Sequence, residues 1–379
     1  MLDYQNIFLA LAVSLMVSII GMPIIIMIAR KIGAVDVPKD DRRMHTRPVP
    51  RIGGAAMVYG FMVSMLCFGM MTKQMQAMLG GAMLIAILGF IDDVRPLSAK
   101  LKFLVQIVAA AIVVFYGEIT VNFFTIPIYG MVRMNEIVAQ IVTVVWIVGV
   151  TNAVNLIDGL DGLAAGISTI ASFSMMVIAL LVGDPAIAVI TAALVGCCAG
   201  FLPFNMNPAR IFMGDTGSTF LGFILAVVSI QGLFKGYAII SFIIPFLVLG
   251  LPIFDTGFAI IRRVINKQPI MQADRGHLHH RLIDMGFSQK QTVAILYAIS
   301  SLLGLSAIIM TSRGALRGVI LIGAVLAALV VGAYFISKPD KIETTPPQDD
   351  QTEEKEEIED AKEDVTKTNE EEGEDHEKA

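Results

Sequence analysis

Long runs of apolar residues, separated by short polar segments, constrain the fold of this 379-residue chain more than any other feature. Hydrophobic residues make up 55% of the sequence and the mean hydropathy is +0.73, far above the needs of a soluble core. Each run is long enough to cross a bilayer as a helix, the shorter ones marginally. The runs lie near residues 6–29, 54–72, 75–91, 101–117, 136–152, 163–183, 185–204, 217–233, 238–261, 291–310 and 316–337. The pattern predicts an all-α polytopic membrane protein with about eleven transmembrane helices.

The charges of the connecting segments predict how these spans are oriented. If the spans alternate, five segments share one side of the membrane, and with their flanks they carry seventeen Lys and Arg residues against five on the other side. The five segments are residues 30–53, 92–100, 153–162, 205–216 and 262–290. Because basic loops face the cytoplasm, we expect the N-terminus outside and the C-terminus inside the cell. On the outer side, residues 118–135 alternate aromatic and β-branched residues, which predicts a short hairpin.

The end of the chain has a different composition from the rest. Residues 338–379 hold eighteen of the thirty-three acidic residues but only six of the twenty-eight basic ones, so the remainder is net positive although the whole chain carries −5. Dense like charge without apolar residues to bury is typical of disorder. We therefore expect a membrane domain over residues 1–337 and a disordered, acidic cytoplasmic tail over residues 338–379.

Paired aspartates occur twice on the predicted cytoplasmic side. Asp92 and Asp93, in GFIDDVRPLSAK, end an apolar run, where two neighbouring carboxylates would repel each other and take up protons unless a cation met them. Asp158 and Asp161, in NLIDGLDG, are three residues apart, so in a helix they would share a face with Asn155 one turn earlier. A lone aspartate is usually a helix cap, but a cluster of this kind favours a ligand site.

A fifth aspartate, Asp215 in FMGDTGS, lies in a glycine-flanked turn just before an apolar run. This pattern indicates the start of a helix, whose free backbone N–H groups can bind an anion. The Asp215 carboxylate would then be available to bind a metal ion. Five carboxylates with no cysteine nearby form an oxygen-only ligand set that suits Mg²⁺ or Mn²⁺ rather than zinc. We expect the missing cation to be a divalent metal ion that carries a phosphate.

The segment ADRGHLHHRL places three histidines within four positions, between Arg275 and Arg281. The chain has only five histidines, too few for the several histidine boxes of a membrane di-iron enzyme. Imidazole and guanidinium groups at this density favour a clamp for a phosphate or a sugar diphosphate.

Four motifs, IDDVRPLSAK, NAVNLIDGLDGLAAG, FMGDTGS and DRGHLHHRL, occur in this order and on one predicted side of the membrane. Together they make residues 1 to about 337 resemble the polyprenyl-phosphate N-acetylhexosamine-1-phosphate transferases, which are of glycosyltransferase family 4 type. The resemblance implies an enzyme of the bacterial plasma membrane that uses Mg²⁺ to move a sugar 1-phosphate from a UDP-sugar to undecaprenyl phosphate, with its active site on the cytoplasmic side and UMP as the released product. It also implies a homodimer in the lipid bilayer.

The histidine segment indicates which branch of this family the chain resembles. Leu278 interrupts what would otherwise be a run of three consecutive histidines, as found in the muramoyl-pentapeptide branch. The segment is therefore similar to the UDP-GlcNAc-using branch, which begins the synthesis of teichoic acid, O-antigen or similar cell-envelope glycopolymers.

The charges of the motif residues indicate what each would do in an enzyme of this family. The reacting phosphates and the carboxylates all repel one another, so catalysis must act mainly by electrostatic stabilisation and by positioning. We expect Asp215 to hold the metal with help from Asp158 and Asp161, which also count with Asp92 and Asp93 as catalytic residues. Either Asp92 or Asp93 could serve as a general base, but a lipid phosphate with a second pKa near ~6 needs little base. We therefore favour a single displacement, with Asp92 orienting the nucleophile, over a covalent aspartyl-phosphate intermediate. The expected substrate-binding residues are Arg51, Lys100, Lys102, Asn152, Asn155, Asp274, Arg275, His277, His279, His280 and Arg281.

Three alternative functions stay open at this point. One is a transferase of the muramoyl-pentapeptide type that acts on another UDP-sugar. A membrane prenyltransferase also uses Asp-rich loops and Mg²⁺, but the sequence lacks a second matching Asp-rich box. A cation-coupled transporter is expected to carry ionisable residues near mid-membrane, whereas these residues cluster at the ends of the spans. No nucleic-acid partner is expected.

Overall fold

The structure is a computed structural model that describes residues 4–37, 48–126, 130–233, 243–268 and 276–312, together with residue 323. All of these residues belong to the first of two units into which the chain divides, residues 1–330. The second unit, residues 331–379, includes the predicted acidic tail and lies outside the described residues.

Helices form nearly all of the described chain, because backbone N–H and C=O groups in an apolar run must be satisfied within the run itself. In chain order they are α1 (Tyr4–Ile32), α2 (Gly54–Phe68), α3 (Lys73–Val94), α4 (Ala99–Ala111), α5 (Glu136–Leu156), α6 (Leu163–Val182), α7 (Pro185–Asn205), α8 (Gly214–Val228), α9 (Ile243–Val248), α10 (Gly250–Ile265), α11 (Leu278–Asp284) and α12 (Gln289–Thr311). Two of them continue as π-helical turns, α4 over Ile112–Tyr116 and α8 over Ser229–Leu233.

Polar side chains fix where five of these helices begin. Thr72, Ser98, Asn135, Asp184 and Ser288 each accept a hydrogen bond from a backbone N–H group in the first turn of the following helix. Such caps satisfy donors that the helix itself leaves unpaired. The polar segments between the apolar runs therefore set the helix boundaries.

In the part of the chain that the structure describes, seven helical stretches are long and apolar enough to cross a membrane. They are α1, α3, α5, α6, α7, α12 and the 18-residue stretch Ala99–Tyr116 that α4 forms with its π-helical turn. The apolar helix α2 is shorter, with 15 residues, and the predicted span 238–261 is divided between α9 and α10. The predicted span 316–337 lies outside the described residues except for residue 323. The protein is thus an all-α polytopic membrane protein, while eleven spans and their orientation stay predictions.

Two small antiparallel sheets accompany the helices among the described residues. β1 (Val35–Asp36) pairs with β2 (Val49–Pro50), so that Val35 lies opposite Pro50. β3 (Phe123–Ile126) pairs with β4 (Gly130–Arg133). The second sheet confirms the hairpin predicted within residues 118–135.

Small and hydroxyl-bearing residues join α1 to α7. The Ser14 hydroxyl donates to the carbonyl oxygen of Ala193 over 2.8 Å, and the Ser18 hydroxyl donates to that of Cys197 over 3.1 Å. Where lipid is as apolar as the helix surfaces, close packing and interhelical hydrogen bonds of this kind hold helices together.

Helix α8 is the central helix, with every residue from Thr216 to Val228 buried, and it packs against α3 and α5. The close approach of α3 requires glycine, because a Cβ atom on Gly89 would lie 2.6 Å from the backbone nitrogen of Thr216. The carboxyl end of α3 therefore lies directly against the amino end of α8. This contact positions the site described next.

Candidate functional site

The candidate site is a cavity of about 470 Å³ at the ends of α3, α5 and α8, a volume in the usual range for small-molecule sites, roughly 300–1,000 Å³. Its polar lining includes Asp36, Arg51, Asp93, Asn155, Asp158, Asp161, Asn205, Asp215, His280 and Gln289. Residues more than 240 positions apart in the sequence thus meet in one hollow. All five carboxylates that line it are aspartates.

Asp93 anchors the start of α8. One of its carboxylate oxygens accepts from the backbone N–H of Asp215 over 2.9 Å and from Arg51 over 3.4 Å. The other accepts from the backbone N–H of Thr216 over 3.0 Å and from the Thr216 hydroxyl over 2.6 Å. The side chain is fully buried, so a carboxylate from α3 satisfies two of the free N–H donors of α8.

Lys102, in the first turn of α4, lies between two carboxylates. Its ammonium group is 3.1 Å from an oxygen of Asp92 and 2.9 Å from an oxygen of Asp215. The second oxygen of Asp92 accepts from the backbone N–H of Leu97 over 2.7 Å. In this structure the cation beside Asp92 is therefore a lysine.

Asn155, in the last turns of α5, is hydrogen-bonded to the same carboxylate. Its amide nitrogen donates to the second oxygen of Asp215 over 3.1 Å and to the Ser218 hydroxyl over 2.8 Å. One turn earlier, Asn152 donates to Gln106 on α4 over 2.6 Å. Side chains from α4 and α5 thus hold Asp215 from both sides.

Asp158 differs from the other carboxylates because no described residue donates a hydrogen bond to it. It lines the cavity in the turn between α5 and α6. Burial, with the charges of Asp215, Asp93 and Asp161, raises the pKa of its carboxyl group from 3.8 to about 7. A carboxylate in this position is stabilised by a cation that enters the cavity.

Asp161 lies in the same turn but has partners. One of its oxygens accepts from the Asn207 amide over 3.0 Å and from the backbone N–H of Ala209 over 3.0 Å, which ties the turn to the segment before α8. Because α5 ends at Leu156, Asp158 and Asp161 are not on a helix, and the shared face that a helix would have given them does not form. A turn, rather than a helix, brings both carboxylates to the cavity.

The three histidines of HLHH occupy different positions. Only His280 lines the cavity. His279 is 2% exposed, and burial together with the neighbouring rings of His280 and His277 lowers its pKa to about 4. His277 lies 2.9 Å from a carboxylate oxygen of Asp255 on α10.

Other predicted site residues lie away from the cavity or outside the described chain. Lys100 is exposed and does not line the cavity. The Arg281 guanidinium lies 5.7 Å from the centre of the Phe258 ring. Asp274 and Arg275 are outside the described residues.

Sequence reasoning missed three residues at or near the site. Asp36 lines the cavity from β1, and Tyr297 on α12 donates to the carbonyl oxygen of Gly162 over 2.5 Å. The third is Asp255, whose position within the apolar run GLPIFDTGFAI was itself a signal, since an ionisable residue in such a run is usually functional.

The donor set at the cavity fits a magnesium ion. Within the described parts of the chain, no three His, Cys, Asp or Glu side chains converge as a ready-made metal cage. Mg²⁺ rarely uses such a cage, because it is usually held by one or two carboxylates, by water and by substrate phosphates. The carboxylate of Asp158, which lacks hydrogen-bond donors, and the nearby Asp215 match that requirement.

Comparisons with known proteins agree with the motifs. The family model described as "Glycosyl transferase family 4" matches residues 75–233, which include Asp92, Asp93, Asp158, Asp161 and Asp215. The chain is 44% identical over 315 residues to the probable undecaprenyl-phosphate N-acetylglucosaminyl 1-phosphate transferase of Bacillus subtilis, with 82% of this chain and 87% of that protein covered.

More distant similarity extends to two further kinds of enzyme. The chain is 34% identical over 302 residues to the decaprenyl-phosphate N-acetylglucosaminephosphotransferase of Mycobacterium tuberculosis, with 72% and 74% of the two chains covered. It is 28% identical over 334 residues to the phospho-N-acetylmuramoyl-pentapeptide-transferase of Alkaliphilus oremlandii, with 80% and 97% covered.

Proposed function

The chain belongs to glycosyl transferase family 4, and from that premise we propose that it transfers GlcNAc 1-phosphate from UDP-GlcNAc to undecaprenyl phosphate, forming undecaprenyl-diphosphate-GlcNAc and UMP. The observation that carries the proposal is the meeting of the four motifs' polar residues in one cavity at the ends of apolar helices. The relatives with 44% and 34% identity are both named for the transfer of N-acetylglucosamine phosphate. The reaction would start a cell-envelope glycopolymer such as teichoic acid.

The position of the cavity suits these two substrates. The phosphate of a polyprenyl phosphate is confined to the membrane surface, whereas a UDP-sugar arrives from water. A catalyst for both must present a polar hollow at the end of its spans, and the basic segments around this one support a location on the cytoplasmic side. The enzyme is therefore proposed to work at the inner face of the plasma membrane.

The proposed reaction exchanges one phosphoanhydride for another. An oxygen of the lipid phosphate attacks the phosphorus atom next to GlcNAc, and the bond from that phosphorus to the bridging oxygen of UMP breaks. The electron pair leaves with UMP. Because a bond of the same kind forms and breaks, the step needs no ATP.

The carboxylates divide into two groups in this proposal. Asp158 and Asp215 would hold Mg²⁺, or Mn²⁺ in its place, and the bound ion would offset the negative charge of the diphosphate. Asp93 and Asp161 already accept hydrogen bonds from backbone N–H groups, so their proposed role is to position Asp215 and the Asp158 turn. This division assigns Asp161 to positioning rather than to the metal.

The cations provide the rest of the electrostatic stabilisation. Lys102 lies between Asp92 and Asp215, where its ammonium group can move from a carboxylate to an incoming phosphate oxygen. Arg51 keeps 31% of its side chain exposed beside Asp93 and His280 lines the cavity. We assign Lys102 and Asp92 to the lipid phosphate, and Arg51 and His280 to the UDP-sugar.

UMP release tests the proposal. Purified protein should release UMP from UDP-GlcNAc only when undecaprenyl phosphate and Mg²⁺ are both present, and Asp215→Asn should lower the rate at least about 100-fold. Asp284→Asn, the same change at an exposed residue of α11, should leave the rate unaltered. Turnover of UDP-MurNAc-pentapeptide in preference to UDP-GlcNAc would assign the chain to the other branch, and wild-type turnover by Asp215→Asn would remove the metal assignment.

The homodimer is proposed from the family resemblance alone. Chemical cross-linking of the protein in native membranes tests it. A cross-linked species of twice the chain mass is expected, and a monomer at every cross-linker concentration would contradict it.

A further inference from the structure

Three imidazole rings form a series between α10 and the cavity. The rings of His277 and His279 are stacked, with centroids 5.8 Å apart and planes inclined by 9°. The rings of His279 and His280 follow at 4.3 Å with a tilt of 42°. Since His280 alone of the three lines the cavity, the other two rings lie behind it.

The far end of this series is held by Asp255. One carboxylate oxygen lies 2.9 Å from Nδ1 of His277, and the other accepts the backbone N–H of Leu278 over 2.8 Å. The side chains of Asp255 and His277 are each only 8% exposed. Because a carboxylate only accepts hydrogen bonds, Nδ1 of His277 must carry the proton.

Two further residues of α10 contact the same segment. Arg262 donates to the carbonyl oxygen of Gly276 over 2.8 Å, and Phe258 lies beneath the Arg281 guanidinium. Positions 255, 258 and 262 follow one stripe of a helix. One face of α10 thus holds the histidine segment along its length.

Hydrogen bonds from described residues do not hold the middle ring, His279. Nδ1 of buried His279 has no hydrogen-bond partner among the described residues. Its Nε2 lies against Gly159 so closely that a Cβ atom there would collide with it. The position of His279 therefore depends on packing between the Asp158 turn and the ring of His277.

We propose that Asp255 is a positioning residue for the donor site: by fixing the tautomer and orientation of His277, it holds the stacked rings that keep His280 at the cavity. His277 and His279 then act as supports, not as ligands of the substrate. The inference deepens the proposed function, on which it rests for the identity of the UDP-GlcNAc donor.

Asp255→Asn is the sharpest test because the amide preserves shape and keeps an acceptor for the Leu278 N–H. Its NH₂ group, however, faces Nδ1 of His277 and requires the opposite tautomer. We expect the KM for UDP-GlcNAc to rise about 10-fold, the scale of one lost charge-assisted hydrogen bond, while the KM for undecaprenyl phosphate stays unchanged. Asp284→Asn is the matched control and should alter neither constant.

A double variant separates positioning from general structural damage. Asp255→Asn and His277→Gln should not be additive in the KM for UDP-GlcNAc, because each breaks the same contact. Equal changes in the KM of both substrates, together with a lowered melting temperature, would mean that Asp255 only stabilises the fold and would overturn the inference. An unchanged KM for UDP-GlcNAc in Asp255→Asn would overturn it too.

A measurement without substrate keeps the inference separate from the proposed function. Nitrogen-15 NMR of histidine-labelled protein distinguishes the two tautomers of a neutral imidazole. In the wild type we expect a His277 signal with the proton on Nδ1, identified by its loss in His277→Gln, and a shift of that proton to Nε2 in Asp255→Asn. Identical histidine spectra in the wild type and Asp255→Asn would refute the inference even if UDP-GlcNAc were not the donor.

Discussion

Replacement of Asp93 by asparagine distinguishes an anchor of α8 from a catalytic base. Asp93 accepts from two backbone N–H groups, one hydroxyl and one guanidinium. An asparagine in the same place has one acceptor oxygen, so its NH₂ group must face the N–H of either Asp215 or Thr216. The loss of a buried charge-assisted hydrogen bond, with one donor left unsatisfied, should cost about 3 kcal/mol of folding free energy.

Two control variants calibrate that cost. Thr216→Val keeps the shape of the residue and removes only the hydroxyl that donates to Asp93 over 2.6 Å, so it should cost about 1 kcal/mol. Asp184→Asn changes an aspartate that caps α7, and it should be nearly neutral because asparagine caps equally well.

The assay combines unfolding with turnover in the same detergent. A thiol-reactive dye reports unfolding as Cys197 and Cys198 become accessible, since both are buried and Cys67, which is exposed, reacts before heating. Asp93→Asn should unfold several degrees below the wild type and also turn over more slowly, since Asp215 loses its backbone support. An inactive Asp93→Asn protein with wild-type thermal stability would refute the anchor and identify Asp93 as a base.

Three further predictions follow from individual contacts. Gly159→Ala should raise the KM for UDP-GlcNAc about 10-fold, because the new methyl group displaces His279, whereas Gly149→Ala should do nothing, since no atom lies within 4 Å of a Cβ there. Lys102→Met should lower kcat/KM for undecaprenyl phosphate at least about 100-fold because two carboxylates lose their shared cation, and Lys290→Met, at an exposed position, serves as its control. With Mg²⁺ chelated, the melting temperature should fall as pH rises from about 4 to 7. The reason is that the pKa of Asp158 in the folded protein, about 7, lies above its ordinary 3.8, so ionisation of this carboxyl group destabilises the fold. Asp158→Asn should flatten the dependence of melting temperature on pH.

The membrane class and the grouping of the site residues were predictable from the sequence. Apolar runs of span length leave the backbone no alternative to helices, and the hairpin followed from alternation within residues 118–135. The aspartate motifs and HLHH all lie at the ends of these runs on one predicted side. If the spans alternate in direction, these segments are expected to come together at that side. The prediction that a divalent metal ion meets the paired carboxylates stays a prediction.

The lysine beside Asp92 and the separate contacts of the site residues were not predictable from spacing. A lysine ten residues after Asp92 reaches back to it only because α4 begins at Ala99 and reverses the chain direction. The turn after Leu156 breaks the helix that would have placed Asp158 and Asp161 on one face. Asp255 pairs with a histidine 22 residues away, a contact that no local pattern specifies.

The fate of one phosphorus atom tests the central claim most directly. UDP-GlcNAc labelled with ³²P at the phosphate next to the sugar is incubated with purified protein, Mg²⁺ and undecaprenyl phosphate, and the lipid and aqueous phases are separated. The account predicts that the label moves into the lipid and that the released UMP is unlabelled. Sugar in the lipid phase with the label left in water as UDP, or no transfer at all, would contradict it.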